Sequence, residues 1–185
     1  MESYRVLTVC TGNVCRSPAA AVMLREGVRL DGLADRIEIG SAGTSWEAEG
    51  GQPMDERTVL ALERAGYHPP FIHTATTIHL TELLTWDLVL PMTAEHAASL
   101  RRMIDHAPPG SPVPEVILWR QFDPAAPVTA TEAELAVKDP WYSGQKAFDR
   151  TILSMQAAVP PSLLVHLRSR LRERDEAAAL ATRRG

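Results

Sequence analysis

The chain has 185 residues, 45% of them hydrophobic and 23% charged. That is enough for one domain with a substantial core and too short for two comfortable ones. A formal net charge of −4 argues against nucleic acid as a partner, because phosphate-backbone binders carry a basic surplus. No apolar run reaches bilayer-spanning length and the N-terminus lacks a basic and apolar leader pattern, so no membrane partner and a cytoplasmic location are expected.

Tyr4–Val9 is apolar and rich in β-branched residues, which predicts a buried strand. Cys10–Ser17 (CTGNVCRS) is polar, is punctuated by Gly12 and Asn13, and reads as a loop. Pro18 to about Leu30 follows as a helix, with Ser17 as N-cap and Ala20, Met23, Leu24 and Val28 at helical spacing. Arg36–Ile39 is a second short strand and 40–53 a loop. Asp55–Ala65 is a helix stopped by Gly66. Phe71-Ile72 is a candidate strand, a short helix follows Thr81, and Trp86–Leu90 reads as a strand. Ala94–Met103 is a helix closed by Pro108-Pro109-Gly110, and Val116–Leu118 is a weak strand. Residues 123–138 are irregular with helical content over 132–137. Ala147 to about Arg174 is helical, broken at Pro160-Pro161 with Ser162 capping the restart. The domain is placed at 1–175, and the last residues, 176–185, are expected to fray.

Strands alternating with helices predict an α/β fold: a single open, mostly parallel twisted sheet of about four strands, helices on both faces. Ligands of such sheets bind beyond the carboxyl ends of the strands, where the loop after the first strand lies.

Only two cysteines occur, Cys10 and Cys15. A bridge between them would close a tiny loop and stabilise little. The six histidines form no HxxxH or CxxC-type ligand pattern, so no metal and no other cofactor is expected. The cysteines call for a chemical explanation. Cleaving a phosphate ester needs a nucleophile, several N–H donors, a fixed positive charge and an acid for the leaving group. The C-x5-R spacing from Cys10 to Arg16, on a tight strand-to-helix turn, supplies the first three. Backbone N–H groups of Thr11, Gly12, Asn13, Val14, Cys15 and Ser17 can form an anion nest on the positive end of a helix. Arg16 offers a planar fork that a lysine lacks. A helix N-terminus beside a cation is also the environment that favours a thiolate.

VCTGNVCRSP resembles the signature of the low-molecular-weight protein tyrosine phosphatases. The similarity continues through SAGT (41–44), G-x-P-x-D-x-R (51–57), DLVLPM (87–92), DPWY (139–142) and Phe148. The resemblance implies Cys10 as nucleophile, Arg16 as transition-state clamp and Asp139 as general acid and then base. It also implies Asn13 holding the strained loop, Ser17 donating to the Cys10 thiolate and His73 supporting the loop from behind. A phenolate leaves better when protonated, which suits Asp139 in a loop over the pocket. Trp46, Trp141 and Tyr142 are candidate pocket walls for an aromatic substrate, whereas Trp86 and Trp119 read as core. Trp141 stands where the family often has a tyrosine, and Thr93 where it commonly has an aspartate.

The expected partner is a phosphotyrosine protein or a small phosphorylated substrate, with phosphate or another oxyanion as product and inhibitor. A phosphatase of a phosphorylated metabolite stays open as an alternative. A thiol-linked arsenate reductase is disfavoured, because no cysteine follows Cys15 to carry a disulfide onward. Cys10 is expected to be redox-sensitive, with a Cys10–Cys15 disulfide as its reversible oxidised form. Oligomeric state is not readable.

Overall fold

The computed structural model describes residues 3–68 and 72–183. Four parallel strands form one sheet: β1 (Tyr4–Cys10), β2 (Ile37–Gly43), β3 (Leu88–Pro91) and β4 (Glu115–Val116), in the order β2-β1-β3-β4. Six α-helices among the described residues connect and follow them: α1 (Arg16–Leu30), α2 (Glu56–Arg64), α3 (Leu80–Leu83), α4 (Ala94–Ile104), α5 (Gln145–Gln156) and α6 (Leu164–Thr182). Strands covered on both faces lose the apolar–polar alternation, which is why β1 reads as a nearly continuous apolar run. Val6, Ile37, Ile39, Leu88 and Leu90 pack with α1, α5 and α6 on one face. Leu7, Val9, Ala42 and Val89 pack with Leu83 of α3 and Leu100 of α4 on the other. Trp86 and Trp119 are buried, and Trp119 Nε1 donates to the Met155 carbonyl at 3.0 Å.

Several boundaries differ from the sequence expectation. The second strand continues through Gly43, into the stretch read as a loop, because every residue of β2 has a parallel partner on β1. Gly43 is required there: a Cβ would stand 2.5 Å from the Thr11 carbonyl and 2.8 Å from Ala48 Cβ. Helix α1 starts at Arg16, so Ser17 is not its N-cap; its hydroxyl turns to Cys10 Sγ at 3.0 Å. Residues 132–135 form a turn instead of a helix. Leu135 and Val137 are buried there, and the Val137 N–H donates to the Met92 carbonyl at 2.7 Å.

The break at Pro160-Pro161 is a π turn over Val159–Leu163, and Ser162 does not cap the restart, whose N-cap is Leu163. Helix α6 runs on to Thr182, into the segment expected to fray, since alanine is the strongest helix former and the run EAAALAT contains no breaker. Residues 184–185 lie outside the described residues, as does Phe71 of the candidate strand; its neighbour Ile72 is exposed and in no strand. No helix among the described residues is long and apolar enough to cross a membrane.

Candidate active site

The turn after β1 is fixed from behind by one buried residue. Asn13 is fully buried with φ 54°, a left-handed conformation that asparagine tolerates better than most side chains. Its amide Nδ2 donates to Ser17 Oγ at 2.8 Å and Ser41 Oγ at 3.0 Å, while Oδ1 accepts from the Thr76 N–H at 3.0 Å. His73 Nε2 donates to the Asn13 carbonyl at 2.6 Å. Burial pulls the His73 pKa down, and that carbonyl opposes the pull.

So constrained, the turn directs its own donors outward. Among the described residues, none of the backbone N–H groups of Gly12, Asn13, Val14 and Cys15 has a protein acceptor. Arg16 closes the ring. It is 4% exposed, with Nη1 donating to the Val137 carbonyl at 3.2 Å and Nη2 to Thr11 Oγ1 at 3.4 Å, and it pairs with the Asp139 carboxylate. Its Nε is buried with no partner among the described residues. A buried cation with an unused donor requires an explanation, and an oxyanion supplies one.

Cys10, Cys15, Arg16, Asp139, Trp141 and Tyr142 share one cavity of about 680 Å³, together with Thr11, Gly12, Val14 and the 52–56 segment. Cys10, Arg16 and Asp139, to which the resemblance gives the roles of nucleophile, clamp and acid, therefore line one cavity. Trp46 does not join them: it is 77% exposed, and the 3-10 helix it opens (Trp46–Gly50) turns Glu47 to the cavity in its place. Tyr142, also lining the cavity, is highly exposed, and Trp141 is partly so. Cys15 is buried, and desolvation pushes its thiol up to about 12.

Sequence reasoning gave no role to four contributors, although Asp55 and Arg57 stand in the G-x-P-x-D-x-R stretch and Thr93 was noted as a departure. Arg57 ties the acid segment down, donating to the carbonyls of Trp141 at 3.2 Å and Ser143 at 3.0 Å, with its guanidinium 4.3 Å from the Phe148 ring centroid. The Asp55 N–H donates to the Val14 carbonyl at 2.9 Å and its carboxylate pairs with Arg57. The Arg57 pairing holds the Asp55 carboxyl below its ordinary range. His96 lies against Thr11, and Thr93 caps α4 by accepting from the His96 N–H. Only a Thr-x-x-His pair at a helix start signalled these last two.

The fold and the cavity place the chain among α/β proteins that handle a phosphoryl group at the end of a parallel strand. A family model described as Low molecular weight phosphotyrosine protein phosphatase matches residues 5–173, and the chain belongs to that family. Its enzyme class is accordingly protein-tyrosine phosphatase, a phosphoric monoester hydrolase. A low molecular weight protein-tyrosine-phosphatase of Streptomyces coelicolor is 37% identical over 84% of this chain and 89% of its own length. Low molecular weight protein-tyrosine phosphatase A of Mycobacterium tuberculosis is 35% identical over 86% and 89%. Among solved structures, a protein tyrosine phosphatase from Entamoeba histolytica with Hepes in its active site superimposes with a TM-score of 0.74. It is 26% identical, covering 90% of this chain and 98% of that one.

Proposed function

We propose that this chain hydrolyses phosphotyrosine, and aryl phosphate monoesters generally, through a phosphocysteine intermediate on Cys10. The observation that carries this reading is the meeting of Cys10, the buried Arg16 with its unused Nε–H, and Asp139 in one cavity. Ser17 Oγ accepts from Asn13 and lies 3.0 Å from Cys10 Sγ and 3.2 Å from the Ala42 carbonyl, so its one proton goes either to that carbonyl or to the nucleophile, and the mechanism uses it on the sulfur. The loop N–H groups and the Arg16 fork take the phosphate oxygens.

A phosphate dianion competes with Asp139 for Arg16. Displaced by that dianion, the carboxyl, in its protonated form, turns to the leaving oxygen. The Cys10 thiolate then attacks phosphorus, the P–O bond to the aryl group breaks, and Asp139 gives its proton to the departing oxygen. In the second step Asp139 takes a proton from water as the water attacks phosphorus. The S–P bond breaks, returning the thiolate and releasing inorganic phosphate. A working Cys10 must be a free thiolate, so the reading places the enzyme in the reducing cytoplasm. The catalytic domain is taken as 1–175.

The test is a panel of phosphotyrosine peptides beside phosphoserine peptides and phosphorylated metabolites. Aryl substrates should exceed phosphoserine by about a hundredfold or more in kcat/KM, the order that wall contacts to a ring and a good leaving group supply together. A metabolite preferred over every phosphotyrosine peptide would overturn the substrate assignment. Peroxide should inactivate the enzyme at Cys10, with a Cys10–Cys15 bridge allowing recovery in dithiothreitol. Because Cys15 is held protonated by burial, the bridge should form slowly. Irreversible loss in Cys15→Ser alone supports the bridge; equal recovery in both proteins contradicts it.

A further inference from the structure

Behind the cavity a line of side chains runs from Asp139 through Arg16 and Thr11 to His96 and Thr93. Thr11 Oγ1 lies 3.4 Å from Arg16 Nη2 and 2.9 Å from His96 Nε2. On its far side His96 Nδ1 lies 3.1 Å from Thr93 Oγ1. His96 is 6% exposed, so each of these groups must be satisfied inside the protein.

One arrangement of protons satisfies the whole line. A guanidinium can only donate, so Thr11 Oγ1 accepts from Arg16. The hydroxyl's single proton is then available to His96 Nε2, which receives it only if Nε2 is unprotonated. In that arrangement the imidazole hydrogen is on Nδ1, which faces Thr93 Oγ1. Thr93 Oγ1 can accept it, since its two lone pairs take this hydrogen beside the His96 backbone N–H. The surroundings of the ring agree with a neutral imidazole: burial first, and then the Arg16 charge, oppose a second positive charge, while Glu95 and Asp139 each pull less strongly the other way.

We propose that His96 is a positioning residue for phosphate binding, acting through the Thr11 hydroxyl to hold the Arg16 fork in register with the loop, with Thr93 fixing the tautomer that makes this possible. The inference rests on the reading of Arg16 as the phosphate clamp. It also gives a role to Thr93, which departs from the aspartate common at this place in the family. An aspartate there would face Nδ1 as a charged acceptor and favour an imidazolium, whereas a threonine takes the hydrogen without adding charge. The chain therefore holds Arg16 with a neutral relay.

The test measures the Kd of inorganic phosphate by calorimetry beside kcat and KM for p-nitrophenyl phosphate. His96→Leu should weaken phosphate by about tenfold and lower kcat/KM by a similar factor, the size of one lost hydrogen bond in a charge-assisted chain. Thr11→Val should do the same, and the double variant should be no worse than Thr11→Val alone, because both substitutions cut one relay. His96→Gln presents an amide oxygen near the Nε2 position and should stay within about twofold of wild type. Thermal melts identify any variant that does not fold, and Thr11→Val keeps the test informative if His96→Leu fails. Wild-type phosphate affinity in folded His96→Leu, losses that multiply in the double variant, or a Gln variant as damaged as Leu would each overturn the proposal. Phosphate affinity is read without turnover, so failure here is distinct from failure of the tyrosine-phosphatase reading, which shows as phosphate binding without hydrolysis.

Discussion

The loop 10–17 and the segment 139–143 meet over the same cavity, and they are built differently. In the first, Asn13 alone engages Ser17, Ser41, Thr76 and His73, all within 3.0 Å, and Arg16 and Ser17 are buried. In the second, Asp139 has a side chain 47% exposed and Tyr142 is open to solvent, with Arg57 reaching two backbone carbonyls to hold the segment. The difference matches the two tasks. Binding a dianion and presenting a nucleophile reward donors fixed before the substrate arrives. In the proposed mechanism Asp139 must leave Arg16 and move a proton to and from the reacting oxygens, which a rigid strap would obstruct.

Removing the acid should produce the largest effect that separates the two regions. Asp139→Asn should lower kcat on phosphotyrosine by about 10²–10⁴, with a much smaller loss on p-nitrophenyl phosphate, whose leaving group needs little protonation. Equal losses on both substrates would remove Asp139 from the role of acid. Next comes Asn13→Ala, which releases the loop from behind. It should destabilise the fold by about 2–4 kcal/mol, since several buried groups lose their partner together, with phosphate affinity falling as well. Denaturant melts and phosphate titration check both.

Arg57→Ala acts on the other side of the comparison. It should lower kcat by about tenfold through a misplaced acid while phosphate affinity holds, and a fall in phosphate affinity equal to the fall in kcat would erase the distinction between the regions. The smallest effect concerns stability against pH. Burial takes His96 from 6.5 to about 4, so the unfolded chain binds a proton there that the folded one refuses. The neutral ring's contribution is whole above about pH 6.5 and is lost as the pH falls toward 4. His96→Gln should flatten that part of the curve relative to wild type, and identical curves would contradict the buried neutral ring.

Legibility in the sequence followed the same division. Cys10, Asn13, Arg16 and Ser17 stood together in one short loop with strand and helix on either side, so local spacing was sufficient to bring them forward as candidates. β1 and α1 were equally plain, because their apolar periodicity is local. Ser17 shows the limit of local rules: it looked like a helix cap, yet tertiary packing gave its hydroxyl to Cys10. The length of β2 past Ile39 was hidden, since GSAG has little strand propensity and pairs only because β1 lies alongside it. Trp46 was misplaced for a related reason, as a 3-10 turn decides whether residue 46 or 47 faces the cavity. Arg57, Thr93 and His96 reach the site through contacts distant in sequence, and no spacing within the chain announces a partner such as Thr11.

The central claim is that Cys10 carries the phosphoryl group between the two steps, and trapping tests it most directly. Asp139→Asn, slowed in hydrolysis of the intermediate, is mixed with p-nitrophenyl phosphate, quenched within milliseconds and mapped by mass spectrometry. The account predicts phosphate on Cys10, formed with a burst of p-nitrophenolate, and no burst in Cys10→Ser. Phosphate on another residue, or turnover that persists in Cys10→Ser, would contradict it.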